Sequence, residues 1–411
     1  MILSGLVRQY MNNSNRLTIA DIDAFACTGC GLCSVICPKN CISMEGDQEG
    51  FVAPQIDMNN CIACGLCYEK CQVVCGKTPD RPLAEGYMAI YNNLPLPRRS
   101  SSGGVFFALA KWVFTNRDGV VAGARMLPDG RVVHVLARDD KELRLLQGSK
   151  YVQSRIENAL IECKEEAKRG RTILFCGTPC QVAAVKSYLD NDDCLITCEL
   201  ICHGVPSPSL WAARVAELRS ENGITDFSNI LFRISNRENR TLYCIADGDA
   251  IISRGELDWY YSLFLCNESL RECCYSCPHA GEYREADLLI GDCASSVGDY
   301  EFHPQEPVST VFALSEKGRW LLSEILSSCC DMKKLDETLE SQLNKQLAAP
   351  TLRPESRSRV YEDFNSLEFD EFVDRYSKPP SIKYYVKETL KKLLPVKVRV
   401  EIRKALQAKS R

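Results

Sequence analysis

The chain has 411 residues, 24 cysteines and a formal net charge of −4. That length suits two or three domains, each able to bury a core. The absence of any run of eighteen apolar residues excludes an integral membrane span, and the mildly acidic balance gives no reason to expect a nucleic-acid partner. Met1 to Leu17 holds only short apolar runs broken by Arg8, Asn12 and Asn13. A cytoplasmic, reducing compartment is therefore expected, where thiolates bind metal rather than pair as disulfides.

Residues 21–76 are organised by two cysteine runs, Cys27-x-x-Cys30-x-x-Cys33-x-x-x-Cys37-Pro38 and Cys61-x-x-Cys64-x-x-Cys67-x-x-x-Cys71. Two-residue spacing lets three thiolates of one tight loop reach three corners of an iron-sulfur cube, while the fourth, leaving on a short helix, serves the other cube. The expected ligand sets interleave: Cys27, Cys30, Cys33 and Cys71 hold one 4Fe-4S cluster, and Cys61, Cys64, Cys67 and Cys37 the other. Disulfides or zinc are competing uses of any cysteine run, and the doubled spacing argues against both. Cys41 to Met44 and Phe51 to Pro54, flanking the polar turn Glu45 to Gly50, predict a hairpin. Cys41 and Cys75 fall outside the ligand spacing and read as small buried hydrophobes. The segment resembles bacterial two-cluster ferredoxins, with one departure: Gln72 stands where the second Cys-Pro would have its proline. Seven acids against Lys39 and Lys70 make this unit acidic.

Prolines 79, 82, 95 and 97 mark residues 77–98 as a linker. Ser100 to Gly104 then lead into a helix from Val105 to Phe114, a start whose free N–H groups suit an anion as well as an ordinary cap. Strands are expected at Gly119 to Met126 and Val132 to Ala137, with a helix opened by Gly148 to Ser154 and reaching Lys168. Further strands at Arg171 to Phe175 and Cys194 to Ile201 end at Gly177-Thr178-Pro179 and at Cys202-His203-Gly204. Residues 226 to 252 read as strand and turn, Ala286 to Cys293 and Val308 to Leu314 as strands, and Lys317 to Ser328 as a helix. The alternation predicts a mainly parallel sheet with its binding crevice beyond the carboxyl ends of the strands. No GxGxxG or phosphate-binding loop is present.

Six ordered motifs, Ser101-Ser102-Gly103-Gly104, Gly148-Ser149-Lys150-Tyr151, Cys176-Gly177-Thr178-Pro179-Cys180-Gln181, Cys202-His203-Gly204-Val205-Pro206, Cys274-x-x-Cys277-Pro278 and Asp287 to Asp292, resemble the beta-subunit family of coenzyme F420 hydrogenase and dehydrogenase. Bacterial members with a fused N-terminal ferredoxin are the most similar type. The resemblance implies an α+β ferredoxin-like unit with two 4Fe-4S clusters, followed by an α/β flavin- and cluster-binding domain with a mixed sheet, divided as 99–255 and 256–345. It further implies FAD held by Ser102, Gly103, Gly104, Lys150 and Thr178, and a third 4Fe-4S cluster on Cys180, Cys202, Cys274 and Cys277. Zinc, or burial as plain hydrophobes, is the competing use of these dispersed thiols, joined by Cys176, Cys198, Cys273 and Cys293. His203 and Asp292 are candidate catalytic residues beside the flavin. Cys293 and Ala294 depart from the aromatic pair usual after the Gly-Asp of bacterial members, which bears on the substrate side.

The function expected is electron transfer between ferredoxin-type clusters and a small organic acceptor, F420-like or similar, by way of FAD, in association with surface-polysaccharide synthesis. The alternatives are an electron-relay subunit whose substrate chemistry lies in a partner, or a non-enzymatic cluster module. A ferredoxin-like or hydrogenase-like protein is the expected redox partner. Residues 376–411 carry eleven Lys or Arg against Glu388 and Glu401, leaving −13 on the rest. Ile382, Tyr385, Val386, Leu390, Leu393 and Leu394 recur there at helical spacing. Such a basic amphipathic tail fits either the inner face of a membrane or the acidic body itself.

Overall fold

The computed structural model describes residues 16–75, 83, 85–92, 100–190, 193–234, 242–248, 250–281, 284–295, 307–377 and 398. Apart from Val398, the basic tail beyond Ser377 lies outside the described residues, as does the side chain of Cys75. Strands β1 (Ile42–Gly46) and β2 (Val52–Ile56) form the expected antiparallel hairpin. Short helices Leu32–Ile36 and Leu66–Glu69 leave Gly31 and Gly65, both left-handed at φ 77° and 78°, so each cysteine loop turns sharply before its fourth ligand. The small core of this unit is Ile19 and Ile42 with Cys33, Cys41 and Cys67. A core built so largely of thiols has little apolar area of its own to offset chain entropy.

Behind it lies an eight-stranded sheet. It contains β3 (Gly86–Tyr91), β4 (Val120–Met126), β5 (Val132–Ala137), β6 (Ile173–Gly177), β7 (Leu195–Leu200), β11 (Leu288–Asp292), β12 (Ser309–Ala313) and β13 (Cys330–Lys334), in the order β13-β3-β12-β11-β7-β6-β4-β5. The pairs β4–β6, β6–β7 and β7–β11 are parallel, and the pairs β4–β5, β11–β12, β12–β3 and β3–β13 are antiparallel, so the sheet is mixed rather than mainly parallel. The expected linker 77–98 is corrected here, because its residues 86 to 91 form β3 inside the sheet. The proline punctuation on either side hid a buried strand in which Met88, Ala89 and Ile90 are covered.

Alternating side chains build the two faces. Val120, Ala122, Ile173, Phe175 and Leu289 pack beneath the helices Glu157–Lys168 and Pro179–Leu189, and Leu32 of the front unit joins them. Val121, Leu174, Leu288 and Ile290 pack on the other face beneath the helix Val105–Asn116 and the helical stretch 316 to 329. The helix expected to open at Gly148 begins at Glu157 instead. Lys150 Nζ donates to the carbonyls of Leu145, Leu146 and Gln147, closing an unforeseen helix, Asp140–Leu146, with residues 148 to 154 running as irregular chain.

Strands β8 (Ile230–Ile234), β9 (Leu242–Asp247) and β10 (Ala250–Arg254) form a separate antiparallel sheet. Trp211, Phe232, Tyr260, Tyr261 and Phe264 make its aromatic core, and the helices Arg357–Ser366 and Phe369–Tyr376 cover it with Tyr361 and Phe372. The front unit is bolted to this body. Arg357 donates to both carboxylate oxygens of Glu49, Ser207 Oγ to Glu49 O, and Phe51 packs 5.9 Å from Tyr361.

Candidate functional site: two adjoining cavities

The carboxyl ends of β6, β7 and β11 open into a cavity of about 490 Å³, the position expected for a binding crevice in such a sheet. Ser102, Gly104, Lys150, Thr178, His203 and Asp292 all line it. The helix Val105–Asn116 begins at its edge from Gly104, whose φ is 84° and which makes no side-chain cap, so the first turn faces the cavity. Gly103 is not part of the lining. A Cβ there would meet Ala89 O at 2.2 Å and Ser309 N at 2.8 Å, so this glycine serves close packing against β3 and β12. The Ser102 hydroxyl donates to Val308 O at 2.8 Å, and that of Thr178 lies 3.2 Å from Cys180 Sγ. Lys150 forms part of the wall, but its ammonium is engaged with the helix carbonyls described above.

Asp292, half exposed, pairs with Arg233 Nη2 at 2.8 Å. Arg233 is buried, lies 5.0 Å from the Tyr243 ring and reaches the Tyr151 hydroxyl at 3.4 Å. Arg233 and Tyr243 are site residues that motif reading did not single out, since both come from the separate sheet and nothing in the strand pattern distinguished them; Tyr151 lies in a quoted motif but was given no role there. His203 Nε2 is hydrogen-bonded to Asn267 Oδ1, its ring lies 5.0 Å from Phe264, and burial lowers its basicity.

Beside this cavity is a second one of about 50 Å³. It gathers Cys180, Cys202, Cys274 and Cys277 from three distant motifs and adds Cys273. Cys198 is buried in the sheet, Cys176 lies in the wall of the larger cavity, and Cys293 Sγ faces Glu340, so these three are not among its lining. Burial pushes the Cys202 thiol up to about 12 and raises that of Cys180 well above its ordinary value, with mutual repulsion among the cysteines adding to it. Unaided, these groups stay protonated; a bound cation is what would make them thiolates. The backbone at Gly204 and at His279 offsets part of the rise at Cys202 and Cys277. Arg271, 5% exposed, donates to Cys27 O, Val52 O and Gln153 Oε1, all neutral acceptors. Its buried positive charge beside the thiols suits an anionic group. Among the described residues, no three of His, Cys, Asp or Glu are grouped for a single metal ion. Four thiols on one cavity are the donor type that an iron-sulfur cube uses.

In the front unit, backbone donors face several sulfurs of the two cysteine runs. The N–H of Gly29 points at Cys27 Sγ and that of Ala63 at Cys61 Sγ, each at 3.4 Å, and Ile19 N at Cys67 Sγ at 3.3 Å. These are the sulfur-directed donors an iron-sulfur site uses. Cys41 is buried as expected, with its sulfur 3.4 Å from Cys37 Sγ. Thr28, Gly29 and Cys30 reach the wall of the second cavity, so the first cysteine loop and the dispersed cysteines border the same space.

The cysteine-lined front unit and the sheet behind it define an iron-sulfur electron-transfer protein of oxidoreductase type. Residues 26–75 match the model of the 4Fe-4S dicluster domain, and residues 170–338 match that of the C-terminal region of the coenzyme F420 hydrogenase/dehydrogenase beta subunit. The chain thus joins a stretch similar to the C-terminal region of that beta subunit to a 4Fe-4S dicluster domain at its front. Among solved structures, a chain of the F420-reducing NiFe hydrogenase complex from Methanosarcina barkeri is similar at 17% identity and a TM-score of 0.46, over 65% of this chain and 89% of that one. No curated protein matches this chain. Among the described residues, no helix is long and apolar enough to cross a membrane.

Proposed function

We propose that the chain is an iron-sulfur flavoprotein that exchanges electrons between its dicluster domain and a small organic acceptor bound in the 490 Å³ cavity. Cys27, Cys30, Cys33 and Cys71 would hold one 4Fe-4S cluster, Cys61, Cys64, Cys67 and Cys37 a second, and Cys180, Cys202, Cys274 and Cys277 a third. FAD would occupy the larger cavity, its diphosphate at the first turn of the helix that follows Gly104. When bound, the clusters supply one-electron transfer and the flavin couples it to two-electron chemistry. The observation that carries this reading is the shared wall: Ser154, Thr178, Gln181, Cys202, His203 and Gly204 line both cavities.

The protein's own groups then have definable tasks. His203, held by Asn267, separates the two cavities and fixes the turn that carries Cys202. Asp292 is the exposed member of its ion pair and so the group able to accept a hydrogen bond from a ligand, while Arg233 holds it in place. An acceptor with an amide-like N–H edge, as in flavins and deazaflavins, suits that carboxylate. A redox partner of ferredoxin or hydrogenase type would meet the acidic front unit.

Anaerobic purification with metal and cofactor analysis tests the proposal. About twelve irons and one flavin per chain are expected from three four-iron clusters. Eight irons would confine the clusters to the front unit, and protein that neither carries flavin nor takes it up would remove the redox role of the cavity. Rapid reduction by a deazaflavin or nicotinamide donor would support an enzyme, and reduction only by another iron-sulfur protein a relay.

A further inference from the structure

Gln72 is the residue at which the cysteine runs depart from the ferredoxin pattern, and it is 3% exposed. Its amide Nε2 donates to Thr28 Oγ1 at 2.8 Å, and its Oε1 accepts from His279 Nε2 at 2.7 Å. Gln72 follows Cys71, Thr28 follows Cys27, and His279 lies two residues beyond Cys277. One buried side chain therefore joins both ligand segments of the front unit's first site to a ligand segment of the dispersed site. Arg271 makes a second connection from the other end of that segment, three residues before Cys274. Its Nε donates to Cys27 O at 2.8 Å and its Nη1 to Val52 O at 3.0 Å. At Gly29 a Cβ would come within 2.7 Å of Arg271 Nη1, which keeps this loop as close as backbone allows.

We propose that Gln72 is a positioning residue: with His279, and with Arg271 opposite, it clamps the Cys27–Cys71 site against the Cys273–Cys277 segment, so that the front unit is a fixed neighbour of the third site rather than a tethered one. Proline at position 72 could neither donate to Thr28 nor accept from His279, which accounts for the departure. The inference rests on the third-cluster reading. Its consequence is a constant separation between two paramagnetic centres, with no bond made or broken and no proton transferred in the exchange of one electron between them.

The test compares wild type, Gln72→Leu, His279→Leu and His279→Gln as full-length, anaerobically purified protein. Iron is counted, and electron paramagnetic resonance of the fully reduced protein reads the magnetic interaction between neighbouring clusters. The expected result is about twelve irons in each, an interaction signal in wild type and in His279→Gln, which keeps an N–H donor near the Nε2 position, and its loss or weakening in both leucine variants. Hydrogen exchange at residues 27 to 29 should rise in the leucine variants alone. Should Gln72→Leu fail to assemble its first site, His279→Leu breaks the same bridge from the body side. An unchanged signal and unchanged exchange in a fully loaded leucine variant would overturn the role given to Gln72, leaving the third cluster intact. Eight irons in wild type would overturn the third cluster first, and the clamp with it.

Discussion

Arg271 illustrates how much of the site lies in single buried side chains. Its guanidinium is within hydrogen-bond reach of the first cysteine loop and lines the cavity of the dispersed cysteines. Replacing Arg271 with Met, similar in length and uncharged, should make the proposed clusters on either side of it harder to reduce, while the one proposed on Cys61, Cys64, Cys67 and Cys37 keeps its potential. A redox titration followed by electron paramagnetic resonance would separate the three. His134 gives a second expectation at this scale. Its ring is buried, with Nε2 against Cys176 O and Nδ1 against Ser154 Oγ, and burial first, then the charge of Lys150, pushes its basicity down to about 4. The unfolded chain takes up this proton near pH 6.5 and the folded chain only near pH 4, so stability falls on acidification across that window. Between pH 7 and 5 the loss should be about 2 kcal/mol. Denaturant titrations of wild type and His134→Gln, compared at both pH values, would reveal it as a difference absent from the variant. None of this was legible in the sequence. A lone Arg or His carries no spacing signal, and its role comes from what the fold brings to it.

Elements fared better where their chemistry is local. The cysteine runs, the hairpin Ile42–Gly46 with Val52–Ile56, and the strand ends at Gly177, Cys202 and Asp292 could all be read from spacing and alternation, because loop closure and the two-residue period act over a few residues. Gly86–Tyr91 could not, since its partners Ser309–Ala313 and Cys330–Lys334 lie more than two hundred residues away. The helix Pro208–Asn222 also escaped, its apolar residues being set among polar ones rather than on a clean stripe, although Leu210, Trp211, Val215 and Leu218 are buried. The thiol-rich core of the front unit leads to a prediction for that element. Iron removal by a chelator under reducing conditions should unfold residues 16 to 75 while leaving the large sheet folded, seen as rapid hydrogen exchange confined to the front unit. Protection that survived complete iron loss would mean that packing alone suffices.

At the scale of the whole molecule, residues far beyond the family match hold the arrangement together. Arg357, 2% exposed, grips Glu49 of the front unit, and Tyr361 and Phe372 close the aromatic core around Trp259. Ending the chain at residue 345 should expose that core and leave an aggregating protein. The milder Glu49→Ala, which strands a buried guanidinium that still has Glu272 at 3.3 Å, should lower stability by about 1–3 kcal/mol, measured by denaturant unfolding.

The placement of Gly86–Tyr91 also bears on how such proteins can be recombined. A front unit exchanged for another electron carrier must be spliced upstream of Gly86. A crossover a few residues later would carry off an interior rung of the large sheet and leave its neighbours with unpaired edges. Even a graft made at the correct place inherits the lock at Glu49 and Gln72, so a transplanted carrier lacking those two side chains would arrive attached but out of register with the body it is meant to feed.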